Sequence, residues 1–139
     1  MRIRTADFSA DYADIRRIRL DVFVREQQVP ESLEMDERDV HCTHVLAFDE
    51  DGVAIGTGRI DIDGKIGRVA VTAAARGTGV GRALMAHLHA VGRERGLAEV
   101  WCHAQVTAAP FYERLGYVAV GERFLEAGIE HVEMRRQFH

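Results

Sequence analysis

The stretch Arg76-Gly77-Thr78-Gly79-Val80-Gly81 joins an apolar strand pattern ending at Val71 to a run in which Val80, Leu84, Leu88 and Val91 recur at helical spacing. Three alternate glycines remove Cβ atoms along one curve of backbone, so successive N–H groups can turn inward and approach an anion. The helix that follows adds the positive end of its dipole. The pattern is that of a phosphate cradle, with Arg76 and Arg82 flanking it to supply charge. A turn that only redirects the chain is the competing reading, and such a connection needs one glycine rather than three. Two familiar phosphate loops fit poorly. A P-loop needs Lys-Ser or Lys-Thr after its last glycine, where this chain has Arg82-Ala83. A dinucleotide loop needs a third glycine at position 82, after a parallel doubly wound sheet.

The strands before the loop predict something else. His44–Phe48, Val53–Asp61 and Ile66–Val71 are strand-like, with turn signals at Asp51-Gly52 and Asp63-Gly64, which gives an antiparallel meander. Residues 2–6 read as a first strand, and Ile15, Ile18, Val22 and Phe23 predict a helix over 11–25 that stops before Pro30. The acidic segment 31–40, anchored only by Leu33 and Met35, reads as a loop or short helix, more in keeping with a solvated surface than a site. Beyond the loop the spacing predicts a helix over 80–95 ended by Gly96, a strand over 98–103, a helix over 106–115 ended by Gly116, a strand over 117–120 and a half-exposed strand over 130–137. The class is mixed α/β, a sheet covered by helices with an antiparallel first half and a β-α-β crossover in the second. At 139 residues, 47% of them hydrophobic, one domain with one sizeable core is expected.

Charge and composition exclude several partners. Eighteen Lys and Arg against 22 Asp and Glu leave a formal charge of −4, and no basic run interleaved with aromatics suggests a nucleic-acid face. An anionic ligand must therefore be held by local amides and arginines. No apolar run is long enough to cross a membrane, and Met1–Thr5 lacks the pattern of a signal peptide, so a cytoplasmic protein is expected. Cys42 and Cys102 are expected to be buried free thiols, and no metal site is expected. No residue stripe demands a homodimer, and none forbids one.

The loop, following Arg68-Val69-Ala70-Val71, resembles the signature of the GCN5-related N-acetyltransferase (GNAT) family: Gln or Arg, closely spaced glycines, then Gly or Ala. A second block, Ala108-Ala109-Pro110-Phe111-Tyr112-Glu113-Arg114-Leu115-Gly116-Tyr117, is similar to that family's helix with an aromatic pair before a Gly-aromatic turn. The segments 23–30 with 34–36, and 124–134, are similar to those of its ElaA-like subgroup. The resemblance spans nearly the whole chain. It implies a mostly antiparallel central sheet of about six to seven strands flanked by helices, with acetyl-CoA as cosubstrate. It also implies that backbone groups of Val69, Ala70 and Val71 pair with the pantetheine arm. Amides and side chains of Arg76, Gly77, Thr78, Gly79, Val80, Gly81, Arg82 and Ala83 would hold the pyrophosphate, and Tyr112 would be the general acid. Where the family often carries Asn this chain has Gln105, which can still donate and accept hydrogen bonds toward the cofactor.

The resemblance implies transfer of an acetyl group to a primary amine of a small molecule or peptide. A thioester is already activated, so positioning carries most of the work. The chain must still polarise a carbonyl, for which an N–H near Val71 is suited, accept a proton from the ammonium and return one to the thiolate. Glu26, His103 and His131 are candidates for the base or for contact with the acceptor, and water leading to any of them would also serve. A lone histidine at a strand end is more often structural. From another class, the same loop would suit a non-catalytic module that senses coenzyme A, and a nucleotide-binding domain is a third reading.

Overall fold

The computed structural model describes residues 1–138, apart from the side chains of Leu33 and Glu34. The anchor read at Leu33 therefore lies outside the described residues. The described residues form seven strands: β1 (Arg2–Ala6), β2 (Thr43–Phe48), β3 (Ala54–Ile60), β4 (Ile66–Val71), β5 (Glu99–Gln105), β6 (Val118–Glu126) and β7 (Ile129–Gln137). They form an antiparallel sheet in the order β1-β2-β3-β4 and a second in the order β5-β7-β6. The meander is as expected. At its Asp-Gly turn Gly52 has φ +79°, and Asp49 Oδ1 accepts from the Asp51 and Val53 amides at 2.9 Å each.

Both faces of the first sheet are covered. Val45 and Ala47 turn toward the helix α3 (Val80–Glu94), whose Leu84, Met85 and Leu88 are fully buried. The helix comes close because β3 carries glycine at its contact: a Cβ on Gly56 would lie 2.9 Å from Leu84 Cδ1. On the other face Leu46, Phe48 and Ala70 pack under Ile15 and Ile18 of α1 (Tyr12–Arg19) and under Val22 and Phe23. Each large apolar side chain buried this way contributes about 1.5–3 kcal/mol. No helix among the described residues is long and apolar enough to cross a membrane.

The first helix does not run evenly to Arg25. From Leu20 to Glu26 it widens into a π-helical segment, which brings Val22, Phe23, Glu26 and Gln27 to one hollow. After it come the short helix α2 (Glu31–Glu34) and a 3₁₀ turn, Glu37–His41. The acidic run is not a solvated surface throughout. Arg19, fully buried, donates to both carboxylate oxygens of Asp39 at 2.9 and 3.0 Å. Arg59 donates to Asp39 and to Asp36 at 2.7 Å, and Arg68 to Asp36 at 2.9 Å. Burial alone would raise both carboxyls, but the arginine hydrogen bonds and charges outweigh it and hold them below the ordinary range. These arginines come from α1, β3 and β4, so only the fold brings them to the acids.

A bulge in β4 opens the molecule. Thr57 pairs with Ala70 and Arg59 with Gly67, so Arg68 and Val69 oppose Gly58 alone, and Arg68 sits at φ +53°. At the start of β4 the two sheets touch, through a parallel bridge between Lys65 and Trp101 and the Trp101 amide donating to Gly64 O at 3.1 Å. Past the bulge β4 and β5 diverge, and the seven strands divide into two sheets. Strand β6 runs on to Glu126, past the Val120 at which the sequence pattern breaks; Gly121, at φ +80°, is taken up in an irregularity between Val120 and Phe124.

Candidate active site

Where β4 and β5 part lies a cleft of about 300 Å³, walled by the π-helical segment, by β4 and by β5 and β7. The Thr72 amide donates to Ile55 O at 2.9 Å and Ala70 pairs with Thr57, so by alternation Val69 and Val71 turn their N–H and C=O away from β3, toward the cleft. Of the three residues read as pairing with a ligand, Ala70 has its backbone directed to β3 and offers only its small side chain. Val71 O accepts from Arg76 Nε at 3.1 Å, so of the backbone groups that Val71 turns outward the carbonyl is engaged by that arginine and the N–H is not.

A second hollow, about 370 Å³, adjoins it at the start of α3, lined among others by Gly77, Gly79, Gly81, Arg82, Phe111 and Arg114. Both hollows share Val71 and Arg76. The first intrahelical bond is Ala83 N to Gly79 O at 3.1 Å, so the amides of Gly79, Val80, Gly81 and Arg82 precede the helical ladder, and no side chain caps them. Gly77 and Gly79 stand at φ +78° and +86°, which an L side chain adopts only with strain, and a Cβ on either would project into open space. Gly81 differs. It lies within the helix, and a Cβ there would meet the Phe111 ring at an ordinary 3.5 Å. Thr78 Oγ1 donates to Ala75 O at 2.5 Å, which fixes the loop's bend.

The flanking arginines part company. Arg82 is exposed and makes no ion pair among the described residues. Arg76 forms a two-pronged pair with Glu26, Nη2 to Oε1 at 2.8 Å and Nη1 to Oε2 at 2.7 Å. The Arg76 hydrogen bond holds the Glu26 carboxyl below its usual range, so this carboxylate is a poor proton acceptor.

Tyr112, from α4 (Ala109–Arg114), lines the cleft, its ring edge-on to Phe111 at 5.1 Å and Tyr117 at 5.5 Å. Burial pushes its hydroxyl well above the ordinary tyrosine range, so it keeps its proton. Gln105 Nε2 donates to Gln27 Oε1 at 2.7 Å, tying β5 to the end of the π-helical segment. His103, Gln105 and His131 share one face of the second sheet, since Gln105 pairs with His131 and His103 with Glu133. Glu126 joins them: one oxygen lies 3.0 Å from His103 Nδ1, the other 3.6 Å from His131 Nε2. Burial would raise this carboxyl, yet the His103 hydrogen bond and the two imidazoles outweigh that and hold it low.

The fold brings the expected site residues to the two hollows with two exceptions: Thr78 turns its hydroxyl to Ala75 O within the loop, and Ala83, whose amide was expected to hold pyrophosphate, spends that amide on Gly79 O in the helix ladder. Sequence reasoning gave no role to Gln27, Glu126 or Arg114. Glu126 carried a usable signal, since Ala127-Gly128 after it reads as a hairpin turn that folds β6 back on β7. Cys102 is buried and Cys42 half-buried, both free, and burial pushes their thiols up to about 12 and about 11. No metal-binding cluster occurs among the described residues.

Residues 6–138 match the acetyltransferase (GNAT) domain family. The uncharacterised protein YyaT of Bacillus subtilis is 36% identical, over 99% of this chain and 96% of its own length. The uncharacterised N-acetyltransferase YjcF of the same organism is 37% identical, over 86% of this chain and 87% of its own. Among solved structures, an acyl-CoA N-acyltransferase from Pseudomonas aeruginosa superposes with a TM-score of 0.85 at 30% identity, covering 98% of this chain and 99% of that one. Escherichia coli ElaA superposes at 0.87 with 27% identity, covering 99% and 100%.

Proposed function

The chain belongs to the GNAT family of acyl-CoA N-acyltransferases, and from that premise we propose that it moves an acetyl group from acetyl-CoA to a primary amine by direct attack while both substrates are bound. One observation carries the reading: the open edge of β4 and the uncapped start of α3 meet at Val71 and Arg76, with Tyr112 beside them. An acyl-CoA supplies an activated thioester there. The residues fit it. Val69 and Val71 offer strand-like backbone groups to an extended amide-bearing arm, and the amides of Gly79 through Arg82, with Arg82 itself, suit its pyrophosphate.

Each further role belongs to a residue of this chain. The Val71 N–H polarises the thioester carbonyl. Tyr112, which burial keeps protonated, supplies the proton to the departing sulfur. His103 takes the proton of the incoming ammonium, because the carboxylate candidate, Glu26, is engaged by Arg76. Gln105, held by Gln27, orients the cofactor arm. Val22, Phe23 and Val29 give the cleft an apolar wall for the acyl group. The setting is cytoplasmic, where acetyl-CoA is available.

The test follows free thiol while the pure protein meets acetyl-CoA and a panel of amines. Turnover is expected with at least one, and Tyr112→Phe should lower kcat while leaving calorimetric acetyl-CoA affinity within about twofold. Tight cofactor binding without turnover on any amine would instead mark a coenzyme sensor, and equal affinity for ATP or NAD would mark a nucleotide-binding domain.

A further inference from the structure

Three strands of the second sheet converge on one carboxylate. Glu126 stands at the end of β6, where Ala127 and Gly128 (φ +52° and +76°) fold the chain back into β7. In the order β5-β7-β6 its side chain reaches across β7 to His103 on β5. A carboxylate only accepts, so the proton between them is on His103 Nδ1. That leaves Nε2 as the basic nitrogen of a ring lining the cleft.

The second oxygen of Glu126 lies 3.6 Å from Nε2 of His131. The His131 ring is buried and is itself oriented, its Nδ1–H donating to Ile129 O at 2.7 Å. Phe124 closes over the group, stacked on His131 with centroids 6.0 Å apart and edge-on to His103 at 4.9 Å. The Glu126 side chain is 45% exposed, so it is no part of the apolar core. Other charges near His103 are accounted for. Glu133, opposite it on β7, accepts from Arg135 Nε at 2.7 Å. Lys65, from the start of β4, lies over the Trp101 ring at 5.2 Å.

We propose that Glu126 is the positioning residue for proton uptake: it fixes the tautomer and orientation of His103 so that Nε2 faces the acceptor's ammonium. The inference rests on the transferase reading above. In the step it serves, one ammonium N–H bond breaks and a bond from that proton to His103 Nε2 forms. The free amine keeps the electron pair and attacks. The resulting imidazolium is balanced by Glu126 and returns its proton to solvent. The acceptor must therefore arrive with its ammonium against the β5–β7 wall, on the side of the cleft away from Arg76.

Glu126→Gln and Glu126→Asp test this in the full chain. Nitrogen NMR of the wild-type imidazoles, without coenzyme, should show His103 protonated at Nδ1 when neutral. In Glu126→Gln the neutral His103 should no longer be held as the Nδ1-protonated tautomer, and the acid limb of kcat/KM should move to lower pH. Its kcat should fall about tenfold or more, with KM for the amine and acetyl-CoA affinity each within about twofold. Glu126→Asp should recover part of both effects. Three results overturn the proposal: a neutral wild-type His103 protonated at Nε2, an unchanged tautomer and pH profile in Glu126→Gln, or a loss confined to KM. Failure of the wild type to acetylate any amine sinks the transferase reading and this inference with it. An active wild type indifferent to Glu126 sinks the inference alone.

Discussion

Two glycines of the loop, two residues apart, should respond in opposite ways to the same change. Gly79 holds φ +86° at the residue just before α3, and an alanine there meets open space but carries a backbone penalty of roughly 1–2 kcal/mol. Relief of that strain swings φ negative and re-aims the amides of Val80, Gly81 and Arg82. Gly81→Ala places its methyl 3.5 Å from the Phe111 ring, an ordinary contact, at a helical position where alanine is favoured over glycine by up to about 1 kcal/mol. In urea denaturation Gly79→Ala should lose roughly 1–2 kcal/mol, while Gly81→Ala should be unchanged or gain up to about 1 kcal/mol. In calorimetric titration with coenzyme A, Gly79→Ala should bind at least about tenfold more weakly, a difference of 1.4 kcal/mol or more, and Gly81→Ala within about twofold of wild type. Equal losses of affinity at the two positions, or full affinity in Gly79→Ala, would refute the division into a glycine required by φ and one that is merely accommodated. The same geometry accounts for a signature that ends in Gly or Ala.

Other perturbations separate the side chains of the cleft and its supports. Glu26→Gln should leave the acid limb of the rate profile in place and turnover within about threefold, whereas His103→Gln should lower kcat by about a hundredfold or more; steady-state kinetics across pH 5–9 decides between them. Asp39→Ala leaves Arg19 buried without its carboxylate and should destabilise by about 3–5 kcal/mol, measured by chemical denaturation. His89 gives a pH dependence unrelated to catalysis. Burial, with Arg136 and Arg93 adding to it, lowers its pKa to about 4, and Arg136 donates to its Nδ1 at 3.0 Å. Between an unfolded pKa of about 6.5 and a folded value of about 4 the unfolded chain binds the extra proton, so stability falls as pH drops through that window. The loss approaches about 3 kcal/mol at its lower end, and His89→Gln should flatten it in denaturation series at pH 7, 5.5 and 4.5.

What the sequence made legible follows a physical division between local and convergent features. The loop's role as a strand-to-helix junction, the Asp-Gly turn and the apolar stripe of α3 are written in neighbouring residues, and all three appear in the structure. The β4 bulge is not. It depends on an Arg68 at positive φ, a position for which sequence pattern favours glycine, and it holds because Asp36, thirty-two residues away, binds the Arg68 guanidinium. Asp36 in turn lies in the run whose spacing suggested a solvated surface. That coupling joins the acidic segment to function: the ion pairs of Arg19, Arg59 and Arg68 with Asp36 and Asp39 brace the bulge that turns the edge of β4 toward the cleft. Loosening this network should close or reshape the gap between the sheets before it unfolds the core. Asp36→Asn is the milder probe, since Asp36 is part-exposed and keeps an amide oxygen for one arginine. Coenzyme affinity in Asp36→Asn should fall by more than its stability loss accounts for; affinity equal to wild type in a measurably destabilised variant would separate the bulge from the site.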